Sequence, residues 1–195
     1  MNARPFVALL VLIVLVTTGC SSLEGTGDKS YISGDGQITK IAPADRKDPI
    51  SLTGQDLDGD ELSLDDLRGQ VVVVNYWWSA CPPCRVEQPD LNDAAIELAG
   101  EATFVGINIR DLSEDNGKAY VRSFEVPYRS IFDPSGKALL AFSGILTRNA
   151  IPSTLVLDKE GRVAATVIGA VPGTRTLPDL VADVAAESPD GDNGG

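Results

Sequence analysis

Residues 71–85 read Val71-Val72-Val73-Val74-Asn75-Tyr76-Trp77-Trp78-Ser79-Ala80-Cys81-Pro82-Pro83-Cys84-Arg85. The first seven form an apolar run rich in β-branched side chains, the pattern of a strand buried on both faces. Pro82 suits the first turn of a helix, which the pattern extends to about Ala99, with Pro89 expected to kink it. A buried strand therefore gives way to a helix at a Cys-x-x-Cys. This spacing predicts Cys81 at the exposed N-terminal rim of the helix and Cys84 one turn in, near enough to bond to it. Unpaired amides and the positive end of the helix dipole favour a thiolate at Cys81. The thiolate is the species that attacks a disulfide, and Cys84 is placed to resolve the mixed disulfide. Pro82 and Pro83 stiffen the loop without adding donors. Arg85, four residues after Cys81, either adds positive field or is a solvated surface arginine.

Three plainer readings compete with redox chemistry. A structural Cys81–Cys84 bond is a weak staple, contributing roughly 2 kcal/mol for so short a loop against nearly 5 for a loop of about 100 residues. A zinc site is short of ligands, because one cysteine pair and no histidine cannot supply four sulfur or nitrogen donors. Covalent haem attachment needs histidine directly after the second cysteine, where Arg85 stands. No metal is expected.

The whole chain has 195 residues, enough for one domain of ordinary size. Its 28 acidic and 16 basic residues give a net charge of −12, a poor match to phosphate backbones, and nucleic acid is set aside. The absence of histidine removes Ser-His-Asp and Cys-His catalysis. Three cysteines are too few for a disulfide-built mini-protein.

Outward from the sulfur pair, strand and helix patterns alternate. Upstream, Ile50–Leu52 and Leu62–Leu64 flank Asp58-Gly59 as a hairpin, and Gln37–Ile41 reads as an edge strand. Downstream, Thr103–Arg110 is a second buried strand and Glu114–Phe124 a helix weakened by Gly117. Arg129–Phe132 is a short strand and Gly136–Phe142 a short helix. Thr154–Leu157 and Val163–Ile168 form a hairpin around residues 158–161, and Pro178–Ala186 is a closing helix with Thr176 as its cap. This order implies an α/β architecture with a mixed sheet flanked by helices.

The two ends read differently. Arg4 precedes an apolar run of eleven residues, Phe6–Val16, too short to span a bilayer but suited to a signal-peptide core. Thr17-Thr18-Gly19-Cys20-Ser21-Ser22 resembles the lipobox of bacterial lipoproteins, with Thr17 where a larger aliphatic residue is commoner. That resemblance implies removal of residues 1–19 and lipidation of Cys20, which leaves Cys81 and Cys84 as a pair. The plainer alternative is an uncleaved signal anchor with Cys20 a passenger. Residues 20–36 read as a flexible tether, 37–187 as the domain, and 188–195 as a disordered tail. Export would place the domain where a disulfide can persist.

Asn75-Tyr76-Trp77, followed by Cys81-Pro82-Pro83-Cys84-Arg85, Glu87 and Pro89, resembles the TlpA/ResA-type branch of thioredoxin-like proteins, over roughly residues 37–187. The resemblance implies a thioredoxin-like fold with an extra N-terminal β-hairpin at Ile50–Leu64. It implies a thiol–disulfide oxidoreductase anchored to the bacterial cell membrane on its outer side, without a cofactor. Tethered members of this branch reduce disulfides, and several keep apocytochrome c cysteines reduced during cytochrome c maturation. Partners implied are a membrane electron donor and disulfide-bearing protein clients, and a monomer is expected.

The family's cis-proline loop maps onto Ala150-Ile151-Pro152-Ser153, where the backbone before the proline pairs with an extended substrate segment. Asn75 stands where thioredoxins proper carry a buried aspartate, so the proton acceptor for Cys84 must lie elsewhere. Glu87 matches a glutamate of this branch and, if buried, relays a proton to or from Cys84. A solvated glutamate on a helix face is its alternative. Ala80 replaces the usual tryptophan before the first cysteine, and Trp78 supplies a displaced aromatic surface for substrate. Competing functions are a disulfide-forming oxidant, a peroxiredoxin-like antioxidant and a binding lipoprotein with a vestigial disulfide. Against the second, Trp78 occupies the place where a peroxiredoxin needs threonine or serine.

Overall fold

The computed structural model describes residues 31–33, 36–147 and 149–187; the stretch read as a signal peptide, Cys20, most of the stretch read as a tether, and residues 188–195 read as a tail lie outside the described residues. The apolar run forms strand β5 (Val71–Trp77), buried along its whole length. It lies inside a seven-stranded sheet with β1 (Tyr31–Ser33), β2 (Gly36–Lys40), β6 (Ala102–Ile109), β7 (Ser130–Asp133), β8 (Ser153–Leu157) and β9 (Val163–Gly169). The order across the sheet is β1-β2-β9-β8-β5-β6-β7. β5, β6 and β7 are parallel, whereas β8, β9, β2 and β1 add antiparallel. This is the α/β mixed-sheet thioredoxin-like architecture expected from the sequence.

The two-residue period of β5 sorts its side chains between two cores. Val71 and Val73 meet α1 (Pro82–Glu97) and α3 (Thr176–Ala185) through Leu91, Ala94, Leu98, Leu177 and Val181. Val72, Val74 and Tyr76 face the opposite side, covered by Ile50, Leu64 and the 3-10 turn Lys137–Phe142. There the Tyr76 and Phe142 rings meet edge to face, with centroids 5.3 Å apart. Asn75 thus points to the α1 side of the sheet, toward Glu87 of that helix.

The extra hairpin is a separate two-stranded sheet of β3 (Thr53–Gln55) and β4 (Glu61–Ser63). Its first strand lies closer to the turn than Ile50–Leu52, because the buried Asp56 fixes the turn. Asp56 Oδ1 accepts the N–H groups of Asp58 and Asp60, both at 2.9 Å, while Ile50 and Leu64 drop into the core. α2 (Glu114–Phe124) forms despite Gly117, and the glycine has a packing reason. A Cβ there would lie 2.6 Å from Leu57 Cδ2, so the hairpin and the helix could not approach so closely.

Two local expectations are corrected. Gln37–Ile41 is no edge strand: β1 pairs outside β2, and it does so within the stretch read as tether. Thr176 is not the cap of α3, since Arg175 occupies that position and the Thr176 hydroxyl donates instead to Pro172 O. At the end of the sheet away from α1's N-terminus, buried Arg46 ties distant segments together. It donates to Ile41 O, to Asp158 and, through two bonds of 2.6 Å, to Glu187. Among the described residues no helix is long and apolar enough to cross a membrane.

Candidate active site

β5 ends on Trp77, whose ring stacks on Tyr120 of α2 with centroids 4.4 Å apart. Its Nε1 donates to Ser130 Oγ at 3.3 Å across Gly106, where a Cβ would collide with Ser130 Oγ. The chain then turns through Trp78–Ala80 into α1, held from two sides. Buried Asp111, just beyond β6, accepts Ser79 N–H at 3.0 Å and Ser79 Oγ at 2.6 Å, and also Asn108 Nδ2 at 2.7 Å. From the other side Arg85 donates to Ser79 O at 3.2 Å, with its guanidinium 4.9 Å from the centre of the Phe124 ring. Arg85 is an exposed surface arginine that also braces the loop before Cys81.

Cys81 caps α1. Its Sγ accepts the Cys84 N–H at 3.2 Å, and Pro82 opens the helix. Cys81 and Cys84 form a disulfide, with Cα atoms 5.3 Å apart. The expected exposed rim is corrected: Cys81 is only 3% exposed and Cys84 1%. The two cysteines share a buried apolar cluster with Leu57, Trp77 and Tyr120, against which Trp78 and Ile151 are packed partly buried. Pro82 and Pro83 remain exposed.

The Ile151–Pro152 peptide is cis, immediately before β8. Pro152 O accepts Gly169 N–H at 2.9 Å, and Ile151 N–H donates to Asn149 O at 3.0 Å within its own loop. Ile151 thus packs its side chain against the cluster that holds the sulfur pair, while its N–H is engaged locally.

Glu87, one turn beyond Cys84 on α1, is 2% exposed, which rules out the solvated alternative. Its Oε1 accepts Asn75 Nδ2 at 3.1 Å, and its Oε2 accepts Val171 N–H at 2.8 Å. Burial pushes its carboxyl up to about 7, against those two hydrogen bonds, and the nearby charge of Asp90 adds to the rise. Asn75 Nδ2 also donates to Thr154 Oγ1 on β8 at 3.0 Å. Tyr120 pins α1 from α2, donating to Cys84 O at 3.0 Å and Gln88 Oε1 at 3.1 Å. Burial, with the Glu87 charge, raises the Tyr120 phenol, so it stays a neutral donor.

Reading the sequence alone missed Asp111, Tyr120, Gln88 and Thr154 as site neighbours. Asn75 did carry a signal, as the one polar side chain in a seven-residue buried strand. Among the described residues no three Cys, Asp or Glu side chains gather into a metal cage.

A disulfide bridging the first turn of a helix, beside a cis-proline loop on a mixed sheet, defines a thioredoxin-fold thiol–disulfide oxidoreductase. The redoxin family model matches residues 37–184, and the chain belongs to that family. It is similar to the crystal structure of a secreted thiol-disulfide isomerase from Corynebacterium glutamicum, at 32% identity and a TM-score of 0.73, covering 80% of this chain and 97% of that one. A DsbF homologue from Corynebacterium diphtheriae matches at 31% identity and a TM-score of 0.71, covering 80% and 99% of the two chains. The thiol-disulfide oxidoreductase ResA of Bacillus cereus is 28% identical over 169 residues, which span 86% of this chain and 89% of that protein.

Proposed function

We propose that this protein reduces disulfides of protein clients outside the cytoplasm, anchored to the membrane through lipidated Cys20 and recharged by a membrane-borne thiol donor. Apocytochrome c, whose haem-attaching cysteines must be reduced, is the client class that the family resemblance implies. One observation carries the reading: a sulfur pair at the mouth of α1 with the buried Glu87 carboxyl one turn further.

In the reduced protein, the Cys84 N–H and the first-turn dipole favour a thiolate at Cys81. That thiolate attacks a client sulfur, forming a Cys81–client disulfide and releasing the client's other sulfur as a thiolate. Cys84 passes its proton to Glu87, and the resulting thiolate attacks Cys81 Sγ. The Cys81–Cys84 bond forms, the second client sulfur leaves as a thiolate, and Glu87 returns its proton to a departing sulfur. Two electrons move from protein to client. Trp78 and Ile151, packed against the cluster that holds Cys81, are the side chains a docking client meets, and its extended backbone pairs beside Pro152.

Trapping tests the reading. In cells, Cys84→Ser is expected to accumulate disulfide-linked clients and donor at Cys81, whereas Cys81→Ser captures none. Equilibration with glutathione fixes the direction, and a potential at the oxidising end of the thioredoxin range would make the protein a disulfide donor instead.

A further inference from the structure

The buried Asn75 amide is used at one end only. Its Nδ2 serves both Glu87 Oε1, at 3.1 Å, and Thr154 Oγ1, at 3.0 Å, while its Oδ1 is buried without a hydrogen-bond partner. An ionised carboxylate is acceptor-only, and this dictates which end of the amide faces it. A carboxyl that takes up a proton becomes a donor on that oxygen, and Nδ2 is then the wrong partner. The acceptor it needs is the idle Oδ1 of the same side chain.

We propose that Asn75 is a rotating positioning residue, whose amide turns over each time Glu87 gains or loses its proton. The proton taken from Cys84 sits on Glu87 Oε1 and is donated to Asn75 Oδ1. Thr154 Oγ1, a hydroxyl able to donate as well as accept, donates to that same oxygen. Oε2 remains the carbonyl that accepts Val171 N–H, so only one side of the carboxyl changes partner. In each orientation one end of the amide is paired and the other idle. The carboxyl thus keeps a hydrogen bond to Asn75 in both charge states. The other titratable groups that face Glu87 are Asp90 and Cys84 on α1, Tyr120 on α2 and Tyr128 before β7; burial keeps both phenols neutral. This rests on Glu87 as the proton carrier.

The test uses isotopically labelled full-length protein with the Cys81–Cys84 bond intact, so that no thiol of the pair titrates. The Glu87 carboxyl carbon is followed from pH 5 to 9 together with proton–proton contacts from the Asn75 side-chain amide. Contacts between the Asn75 NH2 and the Glu87 side chain are expected above the Glu87 midpoint and lost below it, with the same midpoint. Contacts that persist through the titration overturn the rotation and leave Glu87 as carrier intact. A carboxyl carbon that does not titrate in this range overturns both. In Asn75→Leu the Glu87 midpoint is expected to rise by about one pH unit, since the charge-assisted bond lost outweighs the neutral one. The limb of the pH–rate profile that reports Glu87 should move with it. An unmoved midpoint in this variant overturns the coupling.

Discussion

Asp56 and Glu87 are both buried carboxylates, 4% and 2% exposed, and both bond to backbone N–H groups, yet their proton affinities are shifted in opposite directions. Burial pushes Asp56 up as well, but Arg129 at 2.7 Å and the N–H groups of Asp60 and Asp58 outweigh it and hold the carboxyl below its ordinary value. Glu87 has one amide and one N–H, and the described residues place no ion pair on it. The difference is a cation. With one, a buried acid is a fixed charge that shapes a turn; without one, it is a proton reservoir near neutrality. The first sits under the hairpin turn, the second beside the sulfur pair.

The largest expected effect is on Glu87. Its folded value lies above its ordinary 4.5, so the folded protein holds the proton more tightly. The resulting stability is present in full below that ordinary value and is lost as pH rises to about 7. Glu87→Gln removes this slope and should be more stable than wild type at pH 8 by about 3 kcal/mol in urea unfolding. The same variant should resolve the mixed disulfide about 100-fold more slowly in stopped-flow. Parallel stability profiles for the two proteins would break the contrast.

Asp56→Asn comes next. It sets an amide donor against Arg129 and should cost about 2 kcal/mol at pH 7 by the same unfolding measurement. Here the sign is reversed: the folded value is depressed, so the wild-type contribution is present above the ordinary aspartate value and is lost as pH falls from there through the lower folded value. The variant should lack that acid branch. Arg129→Leu is the mildest, since the guanidinium is half-exposed, and a loss of under about 1 kcal/mol is expected. It sharpens the comparison if the acid branch of Asp56 shrinks with it.

The frame was legible because its signals are local. Seven buried residues from Val71 could only be an interior strand, and Pro82 after Cys81 could only open a helix. The site was less so. Whether Glu87 meets solvent depends on Val171 and Asn75, 84 and 12 residues away, which no helical period reports. Cys81 looked exposed because the helix alone would leave it so, whereas it shares a buried cluster with Leu57 and Tyr120, both far from it in sequence. Asp111 gave no sign, since a polar residue after a strand is ordinary until its partner, Ser79, is known. The edge-strand reading of Gln37–Ile41 failed for a similar reason, as three residues upstream supply a neighbour too short to announce itself.

The two donors that steady Glu87 differ in how they could be inherited. Asn75 can vanish in a single codon change, but the other donor belongs to the main chain at Val171 and outlasts every replacement there except proline. Half of the acid's surroundings is thus written in the path of the polypeptide, not in its spelling. Chains that share this path could drift in side-chain identity at that position and still hold the acid by one oxygen.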